Sequence, residues 1–277
     1  MRFRKRSCRV LPLKIDVIGG KGVNIHLSAN KNSQTGLTTG AKRARKSDAV
    51  YQDLKRKILT GEMTSHSPIT EQALAQDYGC SQSTIREALM QLQQFGLVIR
   101  RGYQGTFVTD PSPLEARLLL KLRIDIEATG IAEAVKLATA ANLAELRDLD
   151  RQFEERRIRR DVFGCAELDR SLHLKLFRIA RMPILEPMLV RTTMILQRVM
   201  LPTPRPDCTW AQPPVTRHRS IFDALEARDV NQTLDALKSH ILSSAIMLAP
   251  HYYGTDLVRL RDEYDNAFLR TPGLTGH

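Results

Sequence analysis

Cysteines are few in this sequence and lie far apart. No CxxC pair occurs among the four, which are Cys8, Cys80, Cys165 and Cys208. This spacing argues against a disulfide framework and a cysteine-ligated zinc site, and it fits a reducing cytoplasm. Long apolar runs are also missing, so we expect no membrane-spanning segment. The basic Met1–Arg9 segment lacks the apolar stretch and cleavage site of a secretion signal.

Acidic residues are nearly absent from the first 47 residues. This segment has twelve Lys or Arg and one acid, Asp16, so it carries +11 of the net charge of +12. It is poor in aromatics and rich in Gly, Asn, Ser and Thr, so we interpret residues 1–46 as a basic disordered tail. The tail either adds nonspecific affinity for phosphates or is a dispensable leader, and we favour the second interpretation.

Residues 47–110 have the pattern of three helices followed by a hairpin. Apolar residues at four-residue spacing predict a first helix that starts near Ser47 or Asp48. Ser81 is a suitable N-cap for the third helix, which Gly96 ends. Two short strands are predicted at residues 97–99 and 106–109. This is the layout of a winged helix-turn-helix, which places its third helix in the major groove of DNA.

Polar and basic residues lie where such a module meets DNA. They fill the first turn and a half of the third helix and the turn between the strands, which suits contacts to base edges and phosphates. The predicted contacts are Gln82, Ser83, Thr84, Arg86, Arg100, Arg101, Gly102, Gln104 and Gly105. Winged helices also serve in protein contacts, so a protein-binding role is the alternative.

These residues resemble the N-terminal domain of GntR-type bacterial transcription repressors. The similarity runs from Tyr51 to Val108 and includes the sequence IREAL at Ile85–Leu89. It implies double-stranded operator DNA as the partner, with Ser81 as a further contact. Gln82 stands where the family often has Arg, so it would read adenine through its N6 and N7 edge where Arg reads guanine.

After a short linker at residues 111–113, the pattern is almost wholly helical to residue 250. The predicted helices are Leu114–Ala138, Leu143–Arg160, Val162–Ala180, Pro183–Met200, Val215–Ala227 and Val230–Ala249. Asn142 and Asp229 look like N-caps, and Pro183 suits a first helical turn. We therefore predict a mainly α fold, with the winged helix-turn-helix followed by an all-α antiparallel helical bundle. Residues 251–277 are interpreted as a C-terminal tail or solvated helix.

Three histidines and one carboxylate are predicted to face the interior of this bundle. Asp169 and His173 are four residues apart on one helix face, and His218 and His240 lie beside apolar stripes on two other helices. Three imidazoles and a carboxylate suit a divalent metal with an open position, Zn²⁺ first and Ni²⁺, Mn²⁺ or Fe²⁺ as alternatives. Spacing alone does not show that the helices converge, and a single inward histidine is usually a satisfied core residue.

Residues 113–250 resemble the effector-binding domain called FCD, found in the FadR branch of GntR regulators. The resemblance implies that Asp169, His173, His218 and His240 ligate the metal and that a small carboxylate effector binds at or near it. Arg123 matches a recurring Arg of the first helix, so we expect it to pair with an anionic effector.

We therefore interpret the chain as a homodimeric, ligand-responsive transcription repressor and not as an enzyme. The effector, a small organic acid, would release it from operator DNA. The main alternative is a metal-dependent hydrolase or oxygenase fused to a DNA-binding module. Against it, no further general base is evident, since Glu167 would point elsewhere on its helix. A basic architectural DNA-binding protein would rest only on the charge of the tail.

Overall fold

The structure, a computed structural model, describes residues 37–67, 69–201 and 218–266. Sequence-based expectations for residues 1–36, 202–217 and 267–277 lie outside the described residues. None of the helices in the described part combines the length and the apolar character that crossing a bilayer requires.

Helices dominate the described residues, which also contain one two-stranded hairpin. The first domain contains α1 Leu37–Leu59, α2 Glu71–Asp77, α3 Gln82–Gln94, β1 Val98–Arg100 and β2 Thr106–Val108, with a short 3₁₀ turn at Gly102–Gln104. The bundle contains α4 Pro113–Leu137, α5 Ala140–Ile158, α6 Val162–Ile179, α7 Glu186–Met200, α8 Arg219–Glu226, α9 Val230–Leu248, α10 Pro250–Tyr253 and α11 Leu257–Asn266. The predicted fold class, mainly α with a winged helix-turn-helix before a helical bundle, is confirmed.

Capping and register define the winged helix. The Ser81 side chain accepts a hydrogen bond from the Thr84 backbone N–H, which confirms the predicted N-cap of α3. Strands β1 and β2 are antiparallel, with Val98 opposite Val108. Both valines are buried, together with the inward faces of α1 and α3, and Met194 of α7 completes this core.

The first helix starts earlier than the sequence indicated. We placed its beginning near Ser47 or Asp48 and assigned residues 1–46 to a disordered tail, whereas α1 begins at Leu37. Residues 37–46 are therefore helical. Alanines and long basic side chains, all good helix formers, occupy much of this stretch, and it contains no proline.

Three predicted helix starts in the bundle are also corrected. Ser112, assigned to the linker, caps α4 in a capping box, so α4 already begins at Pro113. Thr139 caps α5, and Asn142 is the third helical residue whose side chain reaches back to the cap. Helix α7 begins at Glu186 rather than Pro183, because the chain first turns through residues 182–185. The predicted N-cap of α9 at Asp229 is confirmed.

Helix α4 lies centrally, in contact with α6, α7 and α9. The C-terminal residues were expected to form a tail or solvated helix, but α10 and α11 belong to the bundle. Tyr253 and Leu260 are each 2% exposed and lie in its main core. The Tyr253 and Tyr264 hydroxyls donate to backbone carbonyls at the start of α4. Apolar residues at helical spacing on α10 and α11 make this packing favourable.

Candidate metal centre and DNA interface

Four side chains from three parts of the bundle converge at one point. One potential ligand atom each of Asp169, His173, His218 and His240 lies within 4.8 Å of the others. Asp169 Oδ1 is 3.8, 3.2 and 3.4 Å from the Nε2 atoms of His173, His218 and His240, respectively. As whole residues, the three histidines are 1, 1 and 7% exposed. The structure therefore brings together all four residues selected from the sequence.

Each ligand position follows from local structure. Asp169 and His173 are one turn apart on α6. The sequence placed His218 inside a helix, but it is the N-cap residue of α8. Its position is fixed by the buried residues Ile221 and Phe222 of the following turn. His240 lies on the buried face of α9.

Two carboxylates outside the cluster orient two of the imidazoles. His173 Nδ1 is 2.5 Å from Glu127 Oε2, and His218 Nδ1 is 2.8 Å from Asp150 Oδ1. An ionised carboxylate only accepts, so both Nδ1 atoms carry the proton and donate it. With Nδ1 engaged by a carboxylate, each ring directs its Nε2 atom towards Asp169, the arrangement that metal-ligating histidines have. Asp150 carries no signal in the sequence that could have selected it.

The carboxylates of the site are ionised in spite of their burial. Burial opposes ionisation of Glu127, but the charges of His173 and Arg123 hold its pKa at about 2. Burial likewise opposes ionisation of Asp169, but the neighbouring imidazoles hold its pKa well below the usual range. The cluster therefore presents an anionic oxygen to any bound cation.

The pKa values of two of the histidines are shifted in opposite directions. Burial lowers the pKa of His218, but hydrogen bonds to Asp150 and Asp169 outweigh it and raise the pKa to about 9. Burial, followed by the charge of His218, lowers the pKa of His240 to about 3. The cluster thus already stabilises positive charge beside Asp169.

The donor set and one orphaned atom fit a divalent metal. His173 Nε2 is buried and has no hydrogen-bond partner among the described residues. Leaving such a group unpaired costs about 1–3 kcal/mol, a cost that a ligated cation removes. Three imidazole nitrogens and one carboxylate oxygen are the ligands that Zn²⁺ and similar ions prefer.

Arg123, the predicted effector-binding residue, lies beside the cluster. It is 6% exposed, its Nε donates to Glu127 Oε1 at 2.7 Å, and its Nη2 is 4.0 Å from Asp169 Oδ2. A cavity with about 180 Å³ of empty space, part of it open to solvent, is bounded by Glu127 and His173 and otherwise by apolar side chains. The part of it that a water-sized sphere can occupy is about 10 Å³, room for about one water molecule, so a larger ligand would require the lining side chains to move.

Most of the predicted DNA contacts in α3 are accessible. Ser81, Gln82 and Arg86 are exposed, and Ser83 is half-buried. Thr84 differs from the prediction of a DNA contact, because it is 3% exposed and its hydroxyl lies 2.9 Å from Ser81 Oγ. Thr84 therefore helps to close the start of α3 and does not present a surface to DNA.

The wing presents the predicted residues Arg100, Arg101, Gly102, Gln104 and Gly105 to solvent. Gly102 and Gly105 have φ values of 48° and 104°, a backbone region that glycine adopts without strain. Glu71 of α2, which was not predicted as a site residue, accepts hydrogen bonds from both Arg86 and Arg100.

Polar contacts join the winged helix to the bundle. Lys55 of α1 donates to Glu167 of α6 at 2.7 Å, and Arg170 donates to the same carboxylate. Arg191 of α7 donates to the backbone carbonyls of Gln93 and Gln94 at the end of α3, at 2.9 and 2.8 Å. The helix that carries two metal-ligand candidates thus also contacts the DNA-binding domain.

Comparisons with known proteins agree with both halves of this architecture. Residues 46–108 match the family described as bacterial regulatory proteins, gntR family, and residues 118–243 match the FCD domain. The transcriptional regulator McbR of Escherichia coli (strain K12) is 25% identical over 136 residues, which cover 49% of this chain and 62% of that protein. The transcriptional repressor RspR of the same organism is 24% identical over 198 residues, which cover 69% of this chain and 84% of that protein.

A solved structure, E. coli McbR/YncC, shares the fold. It superposes with a TM-score of 0.62 at 21% identity and covers 75% of this chain and 98% of that one. The matched domains and these relatives are transcription regulators and not enzymes. The chain therefore belongs to the GntR family of bacterial transcription regulators and carries an FCD domain.

Proposed function

We propose that the protein is a homodimeric repressor that holds a divalent metal in its bundle and releases its operator when a small carboxylate binds. The observation that carries the metal part is the convergence of the four side chains, whose potential ligand atoms lie within 4.8 Å of one another. Among them, the buried His173 Nε2 has no hydrogen-bond partner among the described residues. Asp169, His173, His218 and His240 would hold the ion, and Zn²⁺ suits them best, with Ni²⁺, Mn²⁺ or Fe²⁺ as alternatives. When bound, the ion supplies a positive charge and an open coordination position for a carboxylate.

Metal analysis of the purified protein tests this part. The wild type should contain close to one metal ion per chain, and His173→Ala should lose most of it. His251→Ala, which changes an exposed histidine outside the cluster, is the matched control and should keep the metal. A wild type without metal, whose melting temperature does not respond to added Zn²⁺ or to chelator, would assign these histidines to the core.

The effector would be a small organic acid. Arg123 is a buried cation beside the cluster, and the cavity next to Glu127 and His173 would have to widen to admit a carboxylate. Arg123 already donates to Glu127, so an incoming carboxylate would share the guanidinium with this residue.

Coupling between the two domains would run through α6 and α7. Asp169 and His173 face the cluster, whereas Glu167 of the same helix accepts hydrogen bonds from Lys55 of the winged helix and from Arg170. An effector that shifts α6 would therefore change the placement of α1. Two recognition helices would then no longer match half-sites that are spaced along the duplex.

An apolar stripe on α4 supports the homodimer. Leu114, Leu118 and Leu122 follow one another at four-residue spacing and are 67, 58 and 39% exposed. An apolar face of this kind is favourable when a second copy covers it. A symmetric dimer would also supply the two recognition helices that a palindromic operator requires.

Repression is supported by the name of the relative RspR, a transcriptional repressor. The alternative of a hydrolase or oxygenase has no support from the matched domains. Arg86→Ala tests operator reading directly, since it should cost about 1–3 kcal/mol of operator binding if Arg86 contacts a base. An unchanged operator affinity would remove Arg86 from the interface.

A further inference from the structure

Three elements of the winged helix meet at the carboxylate of Glu71. This residue lies in the first turn of α2. It accepts hydrogen bonds from Arg86 of α3, at 3.1 Å from Nε and 2.6 Å from Nη2. It also accepts one from Nη2 of Arg100, the last residue of β1, at 3.0 Å. One carboxylate therefore bridges the recognition helix and the wing.

The two arginines remain accessible while they are held. The side chains of Arg86 and Arg100 are 55 and 46% exposed, and that of Glu71 is 22% exposed. Hydrogen bonds from Arg86, ahead of the charge of Arg100, lower the pKa of Glu71, so the carboxylate is ionised at neutral pH. Arginine binds carboxylate and phosphate through the same fork of N–H groups. Glu71 thus occupies donors that a DNA phosphate or a guanine edge would use.

We infer that Glu71 is a specificity-determining residue that holds Arg86 and Arg100 in place and suppresses their binding to nonspecific DNA. The inference rests on the proposed function, because it takes both arginines as DNA contacts. On any duplex, backbone phosphates must compete with the Glu71 carboxylate for the two guanidinium groups. Only an operator adds correctly placed base edges, so Glu71 weakens binding to nonspecific DNA more than binding to the operator.

The position of Glu71 explains why a carboxylate is tolerated at a DNA-binding surface. As an acid in the first turn of α2, it is stabilised by the partial positive charge of the helix N-terminus. It also fixes the distance between two basic groups on different elements, so their orientation is set before DNA arrives. The residue acts through the arginines and needs no contact of its own with DNA.

Glu71→Gln tests this inference, because it keeps the size of the side chain and removes its charge. Two duplexes serve as probes: one that the wild type selects from a randomised library, and a scrambled duplex of the same composition. The variant should bind the scrambled duplex about threefold to tenfold more tightly and the selected duplex within about threefold of the wild type. The salt dependence on scrambled DNA should steepen by about one unit, as expected for one phosphate contact more.

The matched control is Glu62→Gln. Glu62 accepts a hydrogen bond from Arg56 in the same domain, and both side chains are about half exposed, at 47 and 45%. This variant makes the same change in net charge away from α3 and the wing. It should leave the ratio of the two affinities as in the wild type.

Three outcomes would overturn the inference while the wild type still selects a sequence. Equal weakening on both duplexes, with a lower melting temperature, would assign Glu71 a structural role. Equal tightening on both, shared by Glu62→Gln, would be a general effect of charge. Unchanged affinities would show that the contact has no consequence for binding. A wild type that selects no sequence at all would instead refute the proposed function, and the inference with it.

Discussion

Replacing Glu167 by glutamine should destabilise the protein far more than removing Lys55, its partner on the winged helix. The Glu167 carboxylate accepts hydrogen bonds from Lys55 Nζ and Arg170 Nη2, each at 2.7 Å. The Lys55 and Arg170 side chains are only 5 and 12% exposed, and that of Glu167 is 26% exposed. Burial opposes ionisation of Glu167, but Arg170 and then Lys55 hold its pKa at about 2. Two nearly buried cations and one partly buried carboxylate therefore depend on one another.

The magnitude follows from which charges each change leaves behind. Glu167→Gln leaves two buried cations without their carboxylate, and breaking such a pair costs about 3–5 kcal/mol. Because about a quarter of Glu167 remains exposed, we expect about 2–3 kcal/mol. Lys55→Met leaves Glu167 still paired with Arg170, so it should cost less than about 1 kcal/mol.

Urea unfolding of the metal-free protein measures the difference. At about 2–4 °C per kcal/mol for a chain of this size, Glu167→Gln should also lower the melting temperature by about 4–12 °C. Glu133→Gln, which breaks an exposed ion pair with Lys136, is the matched control and should stay within about 0.5 kcal/mol of the wild type. The reasoning is refuted if Lys55→Met costs as much as Glu167→Gln.

The remaining predictions concern the turn at Gly96, the exposed face of α4 and the loss of stability at low pH. Gly96→Ala should destabilise by about 1–3 kcal/mol in urea unfolding, because φ is 75° and a Cβ would lie 2.8 Å from Ile195 Cδ1; an unchanged midpoint would contradict the close approach. Leu118→Glu should convert the proposed dimer to a monomer in light scattering with little loss of stability, since Leu118 is 58% exposed, and a persistent dimer would place the interface elsewhere. The ionised Glu127, with its pKa lowered to about 2, contributes stability that is present above its unfolded pKa near 4.5 and is lost as the pH falls to about 2. In chelated protein, the unfolding free energy of Glu127→Gln should therefore fall less steeply over this range, by up to about 1.4 kcal/mol per pH unit, and equal slopes would show that Glu127 is not ionised in the fold.

Local signals in the sequence predicted much of the fold. The N-caps Ser81 and Asp229 were identified because short polar side chains precede apolar periodic stretches. The start of α5 was placed at Asn142 although Thr139 caps it, because both residues can accept the first free N–H groups. The early start of α1 at Leu37 was missed because its basic composition is common to helices and to disordered tails.

All four residues of the candidate metal cluster were selected from the sequence, but their spacing did not show that they meet. The spacing of Asp169 and His173 places them on one helix face, but their meeting with His218 and His240 depends on how three segments pack. The orienting carboxylate of Asp150 lies on a further helix, at a sequence separation of 68 residues from His218. Contacts of this kind have no local periodicity, so composition and spacing cannot reveal them.

The burial of Thr84 shows the same limit within one helix. In sequence it lies among polar residues at the start of α3, which favoured a DNA contact. In the fold it is 3% exposed, because the inward face of α3 begins at this residue. Glu71 was missed for a related reason, since its partners Arg86 and Arg100 lie on two other elements.

Operator release by an effector tests the central claim most directly. Wild-type protein loaded with Zn²⁺, bound to a duplex that it selects from a randomised library, would be titrated with mono-, di- and tricarboxylic acids, with His173→Ala in parallel. We predict that an acid that raises the melting temperature of the wild type weakens its DNA binding by about tenfold or more, and that His173→Ala does not respond to it. Unchanged DNA affinity in the presence of every acid that stabilises the wild type would contradict the account.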